Sequence, residues 1–319
     1  MLGATGTIGR ATAHALARRG HAVVGIVRPG RGLQMPPGSP DAGLEVRAAD
    51  VTLLESLLRD GVRGEPFDAV VSCLASRSGV PADAWAIDHD ANLHALEAAR
   101  SCGARQFVLL SAICVQKPLL AFQRAKLAFE AKLAAAGIGY SIVRPTAFFK
   151  SLSGQVERVR RGKPFLVFGD GRLTACKPIS DADLADYLAD CIEQPGLRGR
   201  ILPIGGPGPA ITPREQGECL FRLLGRAPAF REVPLALLDG IVRVLDVAGR
   251  VLPAARAKAE LARIGRYYAS ESMLLLDPRS GRYDAAATPS TGTRTLFDHY
   301  AAIIEGREPL PERGEHAVF

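Results

Sequence analysis

The sequence Gly3-Ala4-Thr5-Gly6-Thr7-Ile8-Gly9 decides the fold class of this chain. Glycines at every third position permit a tight turn and let a ligand approach the backbone closely. Residues 7–19, rich in Ala and Leu, predict a helix that Gly20 ends. The free N–H groups and partial positive charge at the start of such a helix suit a pyrophosphate, so we predict a dinucleotide-binding loop. Its predicted cofactor-binding residues are Gly3, Thr5, Gly6, Thr7, Ile8 and Gly9.

Strand and helix patterns alternate from this loop to about residue 145. The near-continuous apolar run at 21–27 is typical of a strand buried on both faces of a parallel sheet. Further strands are predicted at 43–50, 67–75, 105–112 and 139–145, and helices at about 52–60, 83–101 and 118–136. Repeated strand–helix–strand units predict an α/β fold with a doubly wound parallel sheet, a Rossmann-type NAD(P)-binding domain over residues 1–147.

The regular alternation of strands and helices ends at about residue 145. Beyond it, short strands and many Pro and Gly residues separate the helices. Helices are predicted at about 181–193, 213–225, 234–248 and 292–305. We interpret residues 148–319 as a smaller C-terminal substrate lobe over the carboxyl ends of the strands, with some segments returning to the sheet.

Only Met1 and Leu2 precede the glycine loop, where a doubly wound sheet needs its central strand. Unpaired buried backbone groups on the two neighbouring strands would cost ~1–3 kcal/mol each. We therefore expect the native chain to begin several residues upstream, with a short apolar strand.

Charge and composition narrow the class of partner. The 319 residues include 40 Lys and Arg against 33 Asp and Glu, and this excess favours anionic ligands or surfaces. No basic block or nucleic-acid-binding motif accompanies the charge, so no nucleic-acid partner is expected. The six cysteines form no C-x-x-C pair and the histidines are dispersed, so neither disulfides nor a protein-bound metal are expected. The chain contains no apolar run of ~18 residues, so no membrane-spanning helix is predicted. No signal peptide precedes the glycine loop, so an intracellular protein is expected.

The end of the predicted strand at 21–27 indicates which cofactor is used. NAD enzymes place an acidic residue there for the ribose hydroxyls, whereas this chain has Arg28, with Arg31 close behind. A guanidinium can pair bidentately with a 2′-phosphate, so we predict NADPH. Asp50, at the end of the next strand, is predicted to meet the adenine edge. Cys73 and Leu74, at the end of the strand after that, are predicted to pass the cofactor with their backbone.

The predicted reaction site lies between a strand and the helix that follows it. Ser111 ends the strand, and Lys126 lies in the helix. Short-chain dehydrogenases place a Tyr four residues before such a Lys, but here that position is Phe122, which cannot donate a proton. We predict Ser111 and Lys126 as cofactor-binding residues and Lys126 as the catalytic residue. Lys126 or a water would supply the proton, with Tyr267 or Tyr268 as alternative phenolic acids.

Several longer stretches of the sequence also resemble a known family. Five strings carry it: SAICVQKPLLAFQRAKLAFE (111–130), SIVRPTAFFKSLSGQ (141–155), VFGDGRLTACKPIS (167–180), LPIGGPG (202–208) and TPSTGTRTL (288–296). Together they resemble the divinyl chlorophyllide 8-vinyl reductases, atypical short-chain dehydrogenases of chlorophyll and bacteriochlorophyll synthesis. The resemblance covers nearly the whole chain, and its first two strings are much more specific than the glycine loop.

The resemblance implies NADPH-dependent reduction of the 8-vinyl group of divinyl chlorophyllide or protochlorophyllide to ethyl. Hydride added to the terminal vinyl carbon would leave a negative charge spread into the macrocycle, and a proton would then add next to the ring. A strongly tuned acid is then unnecessary, which fits the absence of a Tyr at position 122. The magnesium belongs to the substrate, so no metal is expected on the protein.

A flat apolar pigment that carries a propionate needs aromatic surface and a cation. Phe148 and Phe149 are predicted to supply the surface and Lys150 the cation, with Lys177 and Arg172 as second candidates for the carboxylate. The alternative for both Phe residues is that they are core side chains.

Two other functions stay open at this point. One is an isoflavone-reductase-like enzyme for a smaller aromatic substrate. The other is an NADP-binding redox sensor of the NmrA type, against which the retained Lys126 argues. We expect the chain in the cytoplasm of a phototrophic bacterium, with loose association to the photosynthetic membrane, although no amphipathic anchor is evident. The sequence assigns no oligomeric state.

Overall fold

A computed structural model describes residues 1–30 and 44–310 of the chain. The helices and strands up to residue 145 are α1 (Thr7–Arg18), β1 (Val23–Val27), β2 (Leu44–Ala48), α2 (Leu54–Ser56), β3 (Ala69–Ser72), α3 (Pro81–Ala84), α4 (Ala91–Ser101), β4 (Gln106–Leu110), α5 (Ala121–Ala134) and β5 (Gly139–Pro145). Two π-helical stretches, Leu57–Val62 and Trp85–Asp90, continue α2 and α3. The predicted strands and helices of this half are confirmed to within a few residues.

The second half is mostly helical. Its elements are α6 (Phe149–Leu152), α7 (Val156–Arg160), β6 (Phe165–Phe168), α8 (Asp181–Glu193), β7 (Arg200–Ile204), α9 (Pro213–Leu223), β8 (Phe230–Val233), α10 (Leu235–Gly249), α11 (Pro253–Ser270), β9 (Leu275–Leu276), β10 (Tyr283–Asp284) and α12 (Leu296–Ile304). The sequence did not predict β8, β9 and β10, which are short. Within the described ranges, no helix is long and apolar enough to cross a membrane.

The chain divides into two compact units. The first unit comprises Met1–Ser76, Pro81–Pro145 and Asp181–Pro203, and the second comprises Arg77–Val80, Thr146–Ser180 and Ile204–Phe319. Residues 181–203 thus return to the sheet unit after an excursion into the second. The predicted domains, 1–147 and 148–319, stay a prediction, because compactness does not test whether each part folds alone.

The first unit contains a parallel sheet with the strand order of a doubly wound fold. β1 pairs with β2, β3 pairs with β4 and β4 pairs with β5, all in parallel. Leu2 joins these two groups by parallel bridges to Ile26 of β1 and Ser72 of β3, and β7 lies beside β5. The sheet therefore has the order β2–β1–Leu2–β3–β4–β5–β7, which confirms the predicted fold class.

The central strand position is taken by Met1 and Leu2. The N–H of Leu2 donates to the carbonyl of Val71 at 2.9 Å, and its carbonyl accepts from Cys73 at 3.1 Å. The carbonyl of Met1 accepts from Ile26 at 2.8 Å. Two residues therefore satisfy the carboxyl ends of both neighbouring strands, where unpaired groups were expected. The expectation of residues upstream of Met1 stays a prediction.

The core of the first unit fixes α5, the helix that carries Lys126. Phe129 and Leu133 of α5 are fully buried, and the ring of Phe129 lies 5.8 Å from that of Phe107 on β4. Ile142 of β5 belongs to the same buried cluster. Because this face of α5 is held against the strands, its polar residues keep defined positions relative to the strand ends.

The second unit is built on different packing. β6 and β8 form a parallel pair and β9 and β10 an antiparallel pair, while α10 and α11 pack together. Tyr300 of α12 is fully buried, and its hydroxyl donates to the carbonyl of Leu152 at 2.7 Å.

Candidate active site

The glycine loop closes against the end of β3. Gly3 has a φ of +73°, and a Cβ there would lie 2.6 Å from the carbonyl oxygen of Cys73. A Cβ on Gly9 would lie 2.0 Å from the carbonyl oxygen of Gly3. Both distances are shorter than real Cβ contacts, so only glycine fits either position.

The start of α1 is open to an anionic ligand. Gly6 is the N-cap residue, no described side chain caps the helix, and its first turn contains no acidic residue. Thr5 and Gly6 are exposed, Gly3 and Thr7 are half-buried, and Ile8 and Gly9 are buried. Since the first N–H groups of a helix have no partner within it, the loop and this helix end fit the pyrophosphate of a dinucleotide.

Arg28 and Asp50 lie at the carboxyl ends of neighbouring strands. Val27 pairs with Ala48, and the N–H of Ala49 donates to the carbonyl of Val27 at 2.9 Å. Hydrogen bonds from Thr52 lower the pKa of Asp50, and the nearby Arg28 cation lowers it further. The structure thus brings the two predicted residues together, with the guanidinium of Arg28 on the surface. Arg31 lies outside the described residues.

The end of β3 is fixed from the side of α4. Ser72 donates its hydroxyl to Oδ1 of Asn92 at 2.6 Å. Desolvation raises the pKa of the Cys73 thiol to about 12, so this thiol stays protonated. The N–H of Cys73 donates a hydrogen bond to the carbonyl of Leu2, and Leu74 is the next residue after the strand end. Contact of Cys73 and Leu74 with the cofactor stays a prediction.

Lys126 has a buried carboxylate partner. Its Nζ lies 2.9 Å from Oδ1 of Asp88, and the two side chains are 10% and 0% exposed. Asp88 lies on the π-helical stretch Trp85–Asp90, and such stretches frequently occur at functional sites. One ammonium donor is used by Asp88, and an ammonium has three donors, so Lys126 can still bond ligand hydroxyls.

Asp88 is itself held by its surroundings. Its Oδ1 also accepts from the N–H of Ser76 at 3.3 Å, and its carbonyl accepts from the Asn92 amide at 3.2 Å. Its Oδ2 is buried and has no hydrogen-bond partner among the described residues. An orphaned buried carboxylate oxygen indicates a site that is completed by something other than these side chains.

Ser111, which follows β4, belongs to a second buried cluster, centred on Glu130 of α5. Its hydroxyl donates to Oε1 of Glu130 at 2.5 Å. Arg144 of β5 donates through Nε to the same oxygen at 3.2 Å and through a second nitrogen to Oε2. The proton of Ser111 is therefore committed to Glu130. The predicted contact between Ser111 and the cofactor stays a prediction.

The predicted substrate residues lie in the second unit. Phe149 is buried and stacks on His299, with ring centroids 5.3 Å apart, whereas Phe148 is half-buried. Phe148 bridges Ile179, which places it beside the segment of Lys177. The substrate roles of Phe148, Phe149, Lys150 and Lys177 stay predictions.

The predicted cations of the second unit differ in their exposure and in their contacts. Lys177 donates to the carbonyl of Thr288 at 2.9 Å and to Oγ of Ser290 at 3.1 Å. Lys150 is half-buried, and Arg172 is exposed. Lys177 thus ties a loop in place, and Lys150 stays the predicted partner of the carboxylate. Among the alternative acids, Tyr267 is buried against the exposed Tyr268.

Sequence reasoning missed Asp88, Glu130 and Arg144. Glu130 follows Lys126 by one helical turn, so the helical spacing carried a signal for it. Nothing in the sequence pattern links Asp88 or Arg144 to the site, since both reach it through tertiary packing.

Comparison with known proteins identifies the domain and its fold. A family model described as NAD(P)H-binding matches residues 3–195. An NADPH-dependent quinone oxidoreductase of Escherichia coli, solved with NADPH, has the same fold: its TM-score is 0.66 at 20% identity, over 95% of this chain and 98% of that one. The fold and the glycine loop thus define an NAD(P)H-binding protein of the Rossmann type.

Relatives in plants define the particular family. Divinyl chlorophyllide a 8-vinyl-reductase of Oryza sativa subsp. indica is 52% identical over 99% of this chain and 81% of its own length. The enzyme of the same name from Zea mays is 51% identical over 99% of this chain and 82% of its length. The chain belongs to the divinyl chlorophyllide a 8-vinyl reductase family, which confirms the resemblance seen in its motifs.

Proposed function

We propose that this chain reduces the 8-vinyl group of divinyl chlorophyllide or protochlorophyllide to an ethyl group, with NADPH as the reductant. The observation that carries the proposal is the 52% identity, over 99% of the chain, to an enzyme named for this activity. The reaction adds one hydride and one proton across the vinyl double bond and yields NADP⁺. The magnesium stays in the pigment throughout.

The first unit holds the cofactor in this proposal. The N–H groups of the glycine loop and of α1 bind the pyrophosphate, and Arg28 pairs with the 2′-phosphate. Asp50 lies at the adenine end, beside Arg28. When bound, NADPH supplies the hydride that is added to the terminal vinyl carbon.

The buried pair supports one of the two roles predicted for Lys126, that of binding the cofactor. If Lys126 gave up its proton, Asp88 would remain as a buried carboxylate without a counter-ion, and breaking such a pair costs about 3–5 kcal/mol. Lys126 therefore acts as a fixed cation that binds the hydroxyls of the nicotinamide ribose. A water supplies the proton, and Asp88 is a positioning residue for the ammonium.

The second unit supplies the pigment site. Phe148 offers the half-buried aromatic surface, and Lys150 pairs with the propionate. Phe149 supports this segment by stacking on His299.

Turnover of the pigment tests the proposal. The purified chain is mixed with NADPH and divinyl chlorophyllide, and the absorption band of the pigment is followed. We expect the band to shift to that of the monovinyl pigment, with one NADPH oxidised per pigment reduced. Monovinyl chlorophyllide is the control and should consume no NADPH. Tight NADP binding without a band shift would contradict the proposal and favour a sensor or another reductase.

We also propose a location for the chain: the cytoplasm of a phototrophic bacterium, loosely attached to the photosynthetic membrane. An apolar pigment substrate and a net charge of +7 support this location. Fractionation of cells at low and high salt tests it, because a loosely attached protein moves from the membrane fraction to the soluble fraction when salt screens its charge.

A further inference from the structure

Helix α10 exposes a continuous row of apolar side chains. Leu237, Ile241, Val244, Val247 and Val251, the last just beyond the helix end, are between 40% and 83% exposed. Their spacing of three or four residues places them on one face, over a length of about 21 Å. We call this row the apolar stripe. Surface apolar residues are normally scattered singly, so a continuous row of five indicates a contact surface.

The acidic residues of α10 are neutralised within its own hairpin. Asp239 accepts from Arg266 of α11 at 2.7 Å, and Asp246 is paired with Arg263 of α11. These are the only acidic residues in α10. The acids therefore anchor α10 to α11 and add no net negative charge to the surface that the hairpin presents.

Among the described residues of α10 and α11, the exposed charged side chains that lack such pairing are positive. Arg243 and Arg250 are exposed on α10, and Lys258 is exposed on α11. None of these three has an ion-pair partner among the described residues. The hairpin thus combines an apolar face with a cationic border, which is the pattern of helices that lie in the interface of an anionic bilayer.

We propose that the apolar stripe, with Arg243 and Arg250 at its border, docks this protein on the surface of an anionic membrane. α10 lies in the plane of the interface, its Leu, Ile and Val side chains enter the boundary of the acyl chains, and the guanidinium groups bind lipid phosphates. The inference does not depend on the proposed reaction, since it concerns lipid alone.

Charge separates this partner from a second copy of the chain. A two-fold contact through the stripe is isologous, so each copy would bring its own Arg243 and Arg250 to the same interface. Like charges brought together in this way oppose the contact. An anionic lipid surface instead matches the cations and accepts the apolar side chains.

Flotation with lipid vesicles tests the proposal on the full chain. One set of vesicles contains equal parts of phosphatidylglycerol and phosphatidylcholine, and the other contains phosphatidylcholine alone. We expect the protein to float with the anionic vesicles, to bind the neutral ones far less, and to be released by salt.

Two substitutions with matched controls locate the surface. Val244→Asp places a charge in the stripe and should lower vesicle binding at least tenfold, since a charge at this depth opposes insertion. Its control is Leu53→Asp, at a side chain that is similarly exposed in the first unit. Arg250→Glu should lower binding about 30-fold, because each charge at an anionic surface corresponds to about fivefold. Its control is Arg105→Glu, where the native side chain is 82% exposed.

Both control variants should bind vesicles like the unsubstituted protein, and all four variants should keep its melting temperature. The proposal is overturned if the unsubstituted protein does not float with anionic vesicles, or if Val244→Asp floats equally well. It is also overturned if Val244→Asp converts a dimer to a monomer in sedimentation while vesicle binding is absent, since the stripe would then be a self-association face.

Discussion

Two buried ion pairs lie one turn apart on α5, and they differ in how completely they are satisfied. Glu130 receives hydrogen bonds on both oxygens, from Ser111 and from Arg144. Asp88, which holds Lys126, has one oxygen without a partner among the described residues. The same helix therefore carries one closed cluster and one open pair.

The difference indicates that the two pairs have different roles. A closed cluster of charges, with both carboxylate oxygens satisfied, is expected to fix the fold rather than to bind a ligand. An open pair has unused donors and acceptors in a buried place, which is costly unless a ligand or water uses them. We expect substitutions in the Glu130 cluster to change stability, and substitutions in the Asp88–Lys126 pair to change cofactor use.

The largest effect is expected for Arg144→Leu. Removal of the guanidinium leaves Glu130 buried without a counter-ion, and we expect the free energy of unfolding to fall by about 3–5 kcal/mol. Urea unfolding followed by circular dichroism measures this change. The double variant Glu130→Gln with Arg144→Leu removes both charges and should recover much of the loss. A single variant as stable as the unsubstituted protein would show that Glu130 is not a structural charge.

Lys126→Ala is expected to lower kcat about a hundredfold, because the variant loses the cation that we propose holds the nicotinamide ribose in place. Pigment turnover at saturating NADPH measures the loss, and circular dichroism checks the fold. Lys126→Arg keeps the charge and should retain part of the activity. Full turnover by Lys126→Ala would exclude any role of Lys126 in the reaction.

Asp88→Asn is expected to lower kcat/KM for NADPH about tenfold, since the ammonium loses the carboxylate that orients it. A purely structural role would lower the melting temperature and leave KM for NADPH unchanged. The double variant with Lys126→Ala separates the two roles, because a positioning residue has no further effect once the group that it positions is gone. Additive losses in the double variant would contradict the positioning role.

The sequence predicted what is encoded locally. The glycine loop could be recognised because Gly3 and Gly9 are required by contacts within a few residues or at one strand end. The buried strands could be recognised by their apolar runs. Each of these signals lies within a short window of the chain.

Sequence reasoning did not find what depends on packing between distant segments. Asp88 lies on a π-helical stretch and contacts Lys126 of α5, whereas the sequence pattern predicted only one continuous helix over 83–101. The sequence of α10 is apolar around most of its circumference, so it predicted a helix at 234–248 but not which face would remain exposed. In the structure, Asp239 and Asp246 pair with α11 and the apolar stripe is exposed.

Ser111→Ala has the smallest expected effect. It tests whether Ser111 belongs to the Glu130 cluster or to the cofactor site. Ser111 is a predicted cofactor-binding residue, yet its proton is committed to Glu130. If Ser111 belongs to the closed cluster, its loss lowers the free energy of unfolding by about 1.5–3 kcal/mol, the range for a hydrogen bond to a charged group. The dissociation constant for NADPH, measured by fluorescence titration, should then stay within about twofold, since no direct contact worth ~1.4 kcal/mol or more is lost. A tenfold weaker NADPH complex with unchanged stability would instead place Ser111 in the cofactor site and join the two pairs into one functional unit.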